Sequence, residues 1–240
     1  MSILPKIVVA EYPRSGGSWV TSMLGDALQL PKRDIYVGED YEVFDVRKHP
    51  WYEGVSNLAL TESCVIKSHE PPNSPLISFP AQFIHLVRDG RDVIVSKYYY
   101  EKEFCVKNGI YEQFEMPFDE YVSQVATEWR TFILAWLNVT PYTYRYEDFL
   151  QNPINTLQKA LGGVGVDVSD SQVRRGVDTN TKSRFKRSLD NLFSHNTFVR
   201  KGVAGDWRNH FGETHIHTFK RIAGDVLIRL GYEKDLNWDK

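Results

Sequence analysis

The stretch that most constrains this chain is Ile7-Val8-Val9-Ala10-Glu11-Tyr12-Pro13-Arg14-Ser15-Gly16-Gly17-Ser18-Trp19. Ile7 to Ala10 is the unbroken apolar run of a strand covered on both faces. Pro13 ends that strand, because proline cannot donate to a sheet ladder. Gly16 and Gly17 let the backbone fold back closely, and Ser18-Trp19 open an amphipathic helix running to about Leu28. Such a turn leaves backbone N–H groups converging on one spot, where the helix dipole also favours negative charge. An anion belongs there, and phosphate is the usual one.

The loop differs from the common phosphate loop, Gly-x-x-x-x-Gly-Lys-Ser/Thr. No Lys-Ser or Lys-Thr pair follows Gly17, so the usual hydroxyl ligand for Mg²⁺ is missing, and the cation, Arg14, comes before the glycines. That pattern suits an anion-binding loop working without a metal; the alternative is an ordinary strand-turn-helix corner with Arg14 on the surface. The 240 residues predict a single α/β domain, 1–240, with a substantial core. With 29 basic against 31 acidic residues, the net charge of −2 excludes an overall basic nucleic-acid footprint. Two cysteines, Cys64 and Cys105, make no disulfide framework and point to a reducing cytoplasm. The N-terminus lacks a signal-peptide pattern, and no apolar run reaches the roughly 18 residues that span a bilayer. The expectation is a cytoplasmic protein without stable membrane insertion.

Leu30 to Gly54 has weak periodicity and is expected to be irregular, over the mouth of the domain. Its Tyr41, Phe44, Trp51 and Tyr52 either line an acceptor pocket or anchor a long loop. Cys64 to Lys67 predicts a second buried strand, ending at Ser68-His69-Glu70-Pro71-Pro72. Lys67 and His69 then lie at a strand's carboxyl end, where open α/β sheets bind ligands, and His69 becomes a candidate base. Gln82 to Val87 predicts a third strand, followed by Arg88 and a helix beginning near Val93, capped by Asp89 or Asp92. Arg88 and Ser96, the latter two turns beyond the cap, are candidates for closing on a second anionic group. Tyr98 to Tyr100 follow as possible pocket aromatics.

Phe118 to Leu137 carries apolar residues at helical spacing and predicts a long core helix. Tyr142 to Tyr146 alternates like a strand, Asn152-Pro153 starts a helix that Gly162-Gly163 ends, and Ser169 or Asp170 caps a helix reaching Val177. From Thr181 to Phe211 periodicity disappears and basic residues gather, so an irregular stretch is expected, either a ligand-binding segment or a solvated basic face. Gly202 and Gly205 there permit close backbone approach to a ligand. Thr214 to Leu230 predicts a last amphipathic helix. His210, His215 and His217 lack the spacing of metal ligands, so no metal site is expected.

Four stretches, in this order, resemble the PAPS-dependent sulfotransferases of the cytosolic small-molecule type. Tyr12-Pro13-Arg14-Ser15-Gly16-Gly17-Ser18-Trp19 resembles that family's Tyr-Pro-Lys-Ser-Gly-Thr-Thr-Trp, and Lys67-Ser68-His69 its Lys-Thr-His. Arg88 through Ser96 with Lys97-Tyr98-Tyr99 is similar to the stretch holding the donor's 3′-phosphate. Arg200-Lys201-Gly202-Val203-Ala204-Gly205-Asp206-Trp207-Arg208-Asn209-His210-Phe211 is close to Arg-Lys-Gly-x-x-Gly-Asp-Trp-Lys-Asn-His-Phe. Tyr146-Glu147-Asp148-Phe149 with Asn152-Pro153 also fits.

The resemblance implies a P-loop-like three-layer fold, with a central, mostly parallel sheet flanked by helices. It implies 3′-phosphoadenosine 5′-phosphosulfate (PAPS) as co-substrate, no metal, and a small-molecule hydroxyl or amine as acceptor. Catalysis would fall to His69 as general base, with Lys67 and Arg14 stabilising developing charge. Donor binding would fall to Arg14, Ser15, Gly16, Gly17, Ser18, Trp19, Arg88, Ser96, Tyr146, Arg200, Lys201 and Gly202, with Trp19 against the adenine. The chain departs from the pattern at Arg14, where the family has lysine and arginine is the poorer proton donor. It departs again at Gly17 and Ser18, which replace two threonines; Ser18 keeps a hydroxyl and Gly17 loses one. The family's dimerisation pattern after Phe211 is interrupted by Gly212-Glu213-Thr214, which leaves the oligomeric state open. Two other functions compete with transfer of sulfate: a Mg²⁺-ATP kinase of small molecules or nucleotides, and a non-catalytic protein binding 3′,5′-ADP (adenosine 3′,5′-bisphosphate).

Overall fold

The apolar run at the start of the chain forms β1 (Ile7–Glu11), whose residues are all buried. In the computed structural model, which describes residues 6–35, 53–54, 63–190 and 201–238, β1 lies near the middle of a six-stranded sheet. The other strands are β2 (Lys32–Asp34), β3 (Glu53–Gly54), β4 (Val65–Ser68), β5 (Gln82–Val87) and β6 (Thr143–Arg145). Their order is β3-β2-β4-β1-β5-β6, and all the pairings are parallel. Each crossover therefore returns the chain to the same starting edge, and the carboxyl ends collect at the other.

Register decides what meets there. Ala10 pairs with Ser68 on one side and with His85 on the other, and Glu11 pairs with Leu86. The residues that leave β1, β4 and β5 thus emerge side by side, and they include Arg14, His69 and Arg88.

Side chains alternate across β1 with the strand period of two. Ile7 and Val9 face a core built with α1 (Gly17–Leu28), α4 (Tyr146–Gln151), α5 (Pro153–Gly163) and α6 (Asp170–Thr179). Ala10 faces a second core, with α2 (Gly90–Tyr99), α3 (Phe118–Leu137) and α8 (Glu213–Arg229). Helices on both faces of a parallel sheet give the expected three layers. Among the described residues, no helix is long and apolar enough to cross a membrane.

Several local expectations change. The stretch from Leu30 to Gly54 contains β2 and β3, which are too short to show alternation but pair in parallel. Tyr41, Phe44, Trp51 and Tyr52 lie outside the described residues. Helix α2 starts at Gly90 rather than Val93, because the Asp89 carboxylate caps it by accepting from the Arg91 N–H. It runs on through a π-helical turn, Tyr100–Cys105. The stretch after Thr181 is not irregular at its start: it forms α7 (Lys182–Asp190). Phe185, in sequence among Lys182, Arg184, Lys186 and Arg187, is buried there and holds the helix to the core.

Helices α1 and α6 approach closely at Gly176, where an added Cβ would lie 2.4 Å from the Met23 carbonyl oxygen and 2.8 Å from the Ala27 Cβ. Gly176→Ala should therefore destabilise the protein by about 1–3 kcal/mol through overpacking, measured by chemical denaturation. An unchanged midpoint would contradict this contact.

Candidate functional site

The turn after β1 is built by backbone conformations that few residues adopt. Gly16 has φ 98°, and a Cβ there would lie 2.5 Å from the Tyr146 ring. Arg14 is also left-handed, at φ 75°, which is costly for a residue with a side chain and is found mostly where function requires it. The conformation sets the Arg14 guanidinium 4.4 Å from the centre of the Tyr100 ring, and its Nε donates to Ser96 Oγ at 3.4 Å. The π-helical turn after α2 thus presents an aromatic face to the cation.

Arg88, at the end of β5, ties the turn to the segment that follows residue 200. Its two terminal nitrogens donate to the Arg14 carbonyl at 3.0 Å and to the Val203 carbonyl at 3.2 Å. The guanidinium also lies 4.9 Å from the centre of the Tyr146 ring, whose hydroxyl donates to the Gly202 carbonyl at 3.3 Å. Asp92, buried on α2, accepts from the backbone N–H groups of Gly205 and Trp207 at 2.6 and 2.9 Å. Arg91 packs against the rings of Trp207 and Trp238, at 4.1 and 4.4 Å. Lys201 pairs with Asp206 at 2.7 Å.

The sheet edge carries the remaining groups. Lys67 forms an ion pair with Asp34 at 2.9 Å, both side chains largely buried. His69 Nδ1 lies 3.0 Å from the Glu11 carbonyl oxygen. A carbonyl only accepts, so Nδ1 carries the proton and Nε2 carries the lone pair of the neutral ring. Burial first, then the charges of Lys67 and Arg14, hold the imidazole well below its ordinary 6.5, so it is neutral at physiological pH. Glu11 sits beneath the turn, with its carboxylate accepting from the Gly17 N–H at 2.5 Å. Burial raises its pKa to about 7 against the lowering effects of Lys67, the Gly17 N–H and Arg14.

The structure thus gathers Arg14, Ser15, Gly16, Gly17, Ser18, Lys67, His69, Arg88, Ser96, Tyr146, Lys201 and Gly202 around one edge of the sheet. Arg200 lies outside the described residues. Trp19 is 8% exposed, edge-on to Tyr146 at 5.8 Å, and its Nε1 donates to the Asn180 carbonyl at 2.6 Å. Tyr98, on α2, is packed edge-on against Phe118 and Tyr121 in the second core. Glu11 and Asp34 are the residues that sequence reasoning missed, while in sequence Asp92 reads only as a helix cap and Tyr100 only as a pocket aromatic. Only Glu11 offered a signal, as a lone charge closing an apolar strand.

Among the described residues, two buried polar groups at this edge have no hydrogen-bond partner: the Ser15 hydroxyl and the Arg88 Nε–H. Buried donors are seldom left so, and both fit an anion held by the turn. A sequence model of the sulfotransferase domain matches residues 4–231. This chain belongs to the sulfotransferase domain family. Among curated relatives, human sulfotransferase 2A1 is 26% identical, with 95% of this chain and 86% of the relative aligned. Mouse sulfotransferase 1 family member D1 is also 26% identical, over 85% of this chain and 77% of its own length.

Solved structures agree in fold. Mouse sulfotransferase SULT7A1 complexed with PAP superposes with a TM-score of 0.67 at 18% identity, covering 93% of this chain and 84% of that one. Retinol dehydratase in complex with androsterone and inactive cofactor PAP gives 0.59 at 20% identity, covering 95% and 82%. The protein is a sulfotransferase, and the kinase and non-catalytic functions are not favoured.

In this sulfotransferase the segment from Lys201 to Trp207 is held to α2 chiefly by Asp92. Asp92→Ala should cost about 3 kcal/mol, since two charge-assisted bonds are lost, to the half-buried Gly205 and the buried Trp207 N–H groups. Urea denaturation measures it, and a loss under about 0.5 kcal/mol would contradict the tether.

Proposed function

We propose that this sulfotransferase moves a sulfuryl group from PAPS to a hydroxyl or amine of a small-molecule acceptor, with His69 as general base. The observation that carries the assignment is the hydrogen bond from His69 Nδ1–H to the Glu11 carbonyl. It fixes the tautomer that leaves Nε2 as the proton acceptor, and burial keeps the ring neutral and ready.

The residues present suit a donor anionic at both ends. The turn from Arg14 to Ser18, with the Ser15 hydroxyl and the amides opening α1, would hold the 5′ end. Arg88, Ser96, Lys201 and Gly202 would hold the 3′-phosphate, with Arg200 joining them on the resemblance alone; Tyr146 and Trp19 would border the nucleoside. When bound, PAPS supplies the sulfuryl group, which passes in line to the acceptor atom as its bond to the 5′-phosphate breaks. His69 Nε2 takes the proton that the acceptor atom gives up. Lys67 and Arg14 would stabilise charge on the sulfuryl and bridging oxygens, in a site whose low exposure strengthens both contacts. Lys67 is positioned for this by its ion pair with Asp34. Arg14 neutralises charge without giving a proton, because guanidinium is not deprotonated in proteins.

His69→Ala should lower kcat by roughly 10²-fold or more in a labelled-sulfate transfer assay over an acceptor library. In the wild type, a histidine held below its ordinary pKa is deprotonated across the neutral range, so the protonated, inactive ring gathers only as pH falls through that lowered value. Accordingly kcat at saturating donor should not drop between pH 8 and 6; a fall centred near 6.5 would count against His69 in this environment. Arg88→Ala should weaken 3′,5′-ADP far more than 5′-AMP in calorimetric titrations, whereas equal losses would remove Arg88 from the 3′-phosphate site.

A further inference from the structure

Glu11 is a carboxylate in a place built for a different anion. Its residue is 2% exposed, and its Oε2 takes the Gly17 N–H, one of the donors that open α1 and face the turn. Gly17 makes this possible: a Cβ there would lie 2.2 Å from the Glu11 Oε1 and 2.3 Å from its Cδ. The carboxyl thus fills the space that a side chain at position 17 would take, and it reaches the turn from below. The charged groups around it are Lys67 on β4, with Asp34 of β2 beyond it, and Arg14 in the turn; the neutral His69 ring is also near, its Nδ1 4.0 Å from Oε1.

An ionised carboxylate only accepts hydrogen bonds, and so does a phosphosulfate. With little water to screen them, two anions on the same amides repel strongly. The protonated carboxyl has no charge and gains an O–H donor.

We propose that Glu11 is a further donor-binding residue, which meets the phosphosulfate as a carboxylic acid: the carboxylate binds a proton from solvent as the nucleotide binds, turning from acceptor to donor. No bond of the nucleotide is made or broken in this step. The inference rests on the donor assignment above. Burial already places the Glu11 pKa at about 7 in the free protein, so the change lies within easy reach. The sign follows by linkage. A nearby anion raises this pKa further, so below about pH 7 the carboxyl is already protonated and affinity does not depend on it. Above that pH, affinity falls by up to tenfold per pH unit until the bound-state pKa is passed.

The test is calorimetric titration of 3′,5′-ADP from pH 7 to 9, in buffers of differing ionisation enthalpy, with wild type and Glu11→Gln. The glutamine keeps the shape, carries N–H donors and has no charge. Wild type should lose affinity by roughly tenfold per unit over part of this range and take up a proton on binding. The variant should bind with nearly constant affinity and without that uptake. Coincident slopes in the two proteins would overturn the inference, and so would constant affinity and no uptake in wild type alone, whether or not the variant folds. If 3′,5′-ADP bound to neither protein while both were folded, the donor assignment itself would fail; binding with equal slopes would remove only Glu11.

Discussion

Everything at the functional edge depends on the parallel register of β1 between β4 and β5. Because Ala10 is level with both Ser68 and His85, the three chain segments that leave these strands start from one line. Arg88 then needs only its own length to reach the Arg14 carbonyl and the Val203 carbonyl. Those two bonds join parts of the chain far apart in sequence, and they place the amides of the turn and the glycine-rich segment on one side of the sheet. A shift by one residue would turn each buried side chain of β1 to the opposite face, and both cores would be lost with the site.

The same edge concentrates charge that burial makes expensive, and the fold compensates it locally. Lys67 has Asp34, Lys201 has Asp206, and Arg91 has Asp89 and Glu233. Arg14 and Arg88 rely more on carbonyls, a hydroxyl and the faces of Tyr100 and Tyr146. Aromatic faces attract a guanidinium without neutralising it. The Arg88 Nε–H, which has no partner among the described residues, therefore remains available to an anion. Glu11 is the acid placed most directly beneath the turn, and the chain tolerates it because Gly17 offers both room and an N–H.

Much of the architecture was legible in the residues. The apolar runs of β1 and β5, the long periodic helix α3 and the capped helix α6 appear close to where periodicity and caps put them. The strands β2 and β3 were not, because a few residues cannot display alternation, and their pairing with β4 comes from tertiary contact. Helix α7 was hidden for a related reason: among basic residues, the buried Phe185 gave too little periodicity to show its inner face. Within the site, the glycines, the arginines and His69 stood out as residue types suited to anions and proton transfer. The packing of Tyr98 in the second core was not legible, since an aromatic at the end of an amphipathic helix reads the same whether it enters a core or lines a pocket.

The amino-acid sequence by itself determined a parallel α/β domain with an anion-binding turn, a strand-end lysine and histidine, and a glycine-rich basic segment, because periodicity, turn chemistry and residue order are local properties. Only the tertiary structure decided which groups those residues meet. It set Glu11 under Gly17, hung the glycine-rich segment on Asp92, laid Arg14 on Tyr100 and fixed the His69 tautomer with a backbone carbonyl. All but the first, which closes a turn of six residues, are contacts between segments distant in the chain, governed by sheet register and helix packing, and no local pattern encodes them.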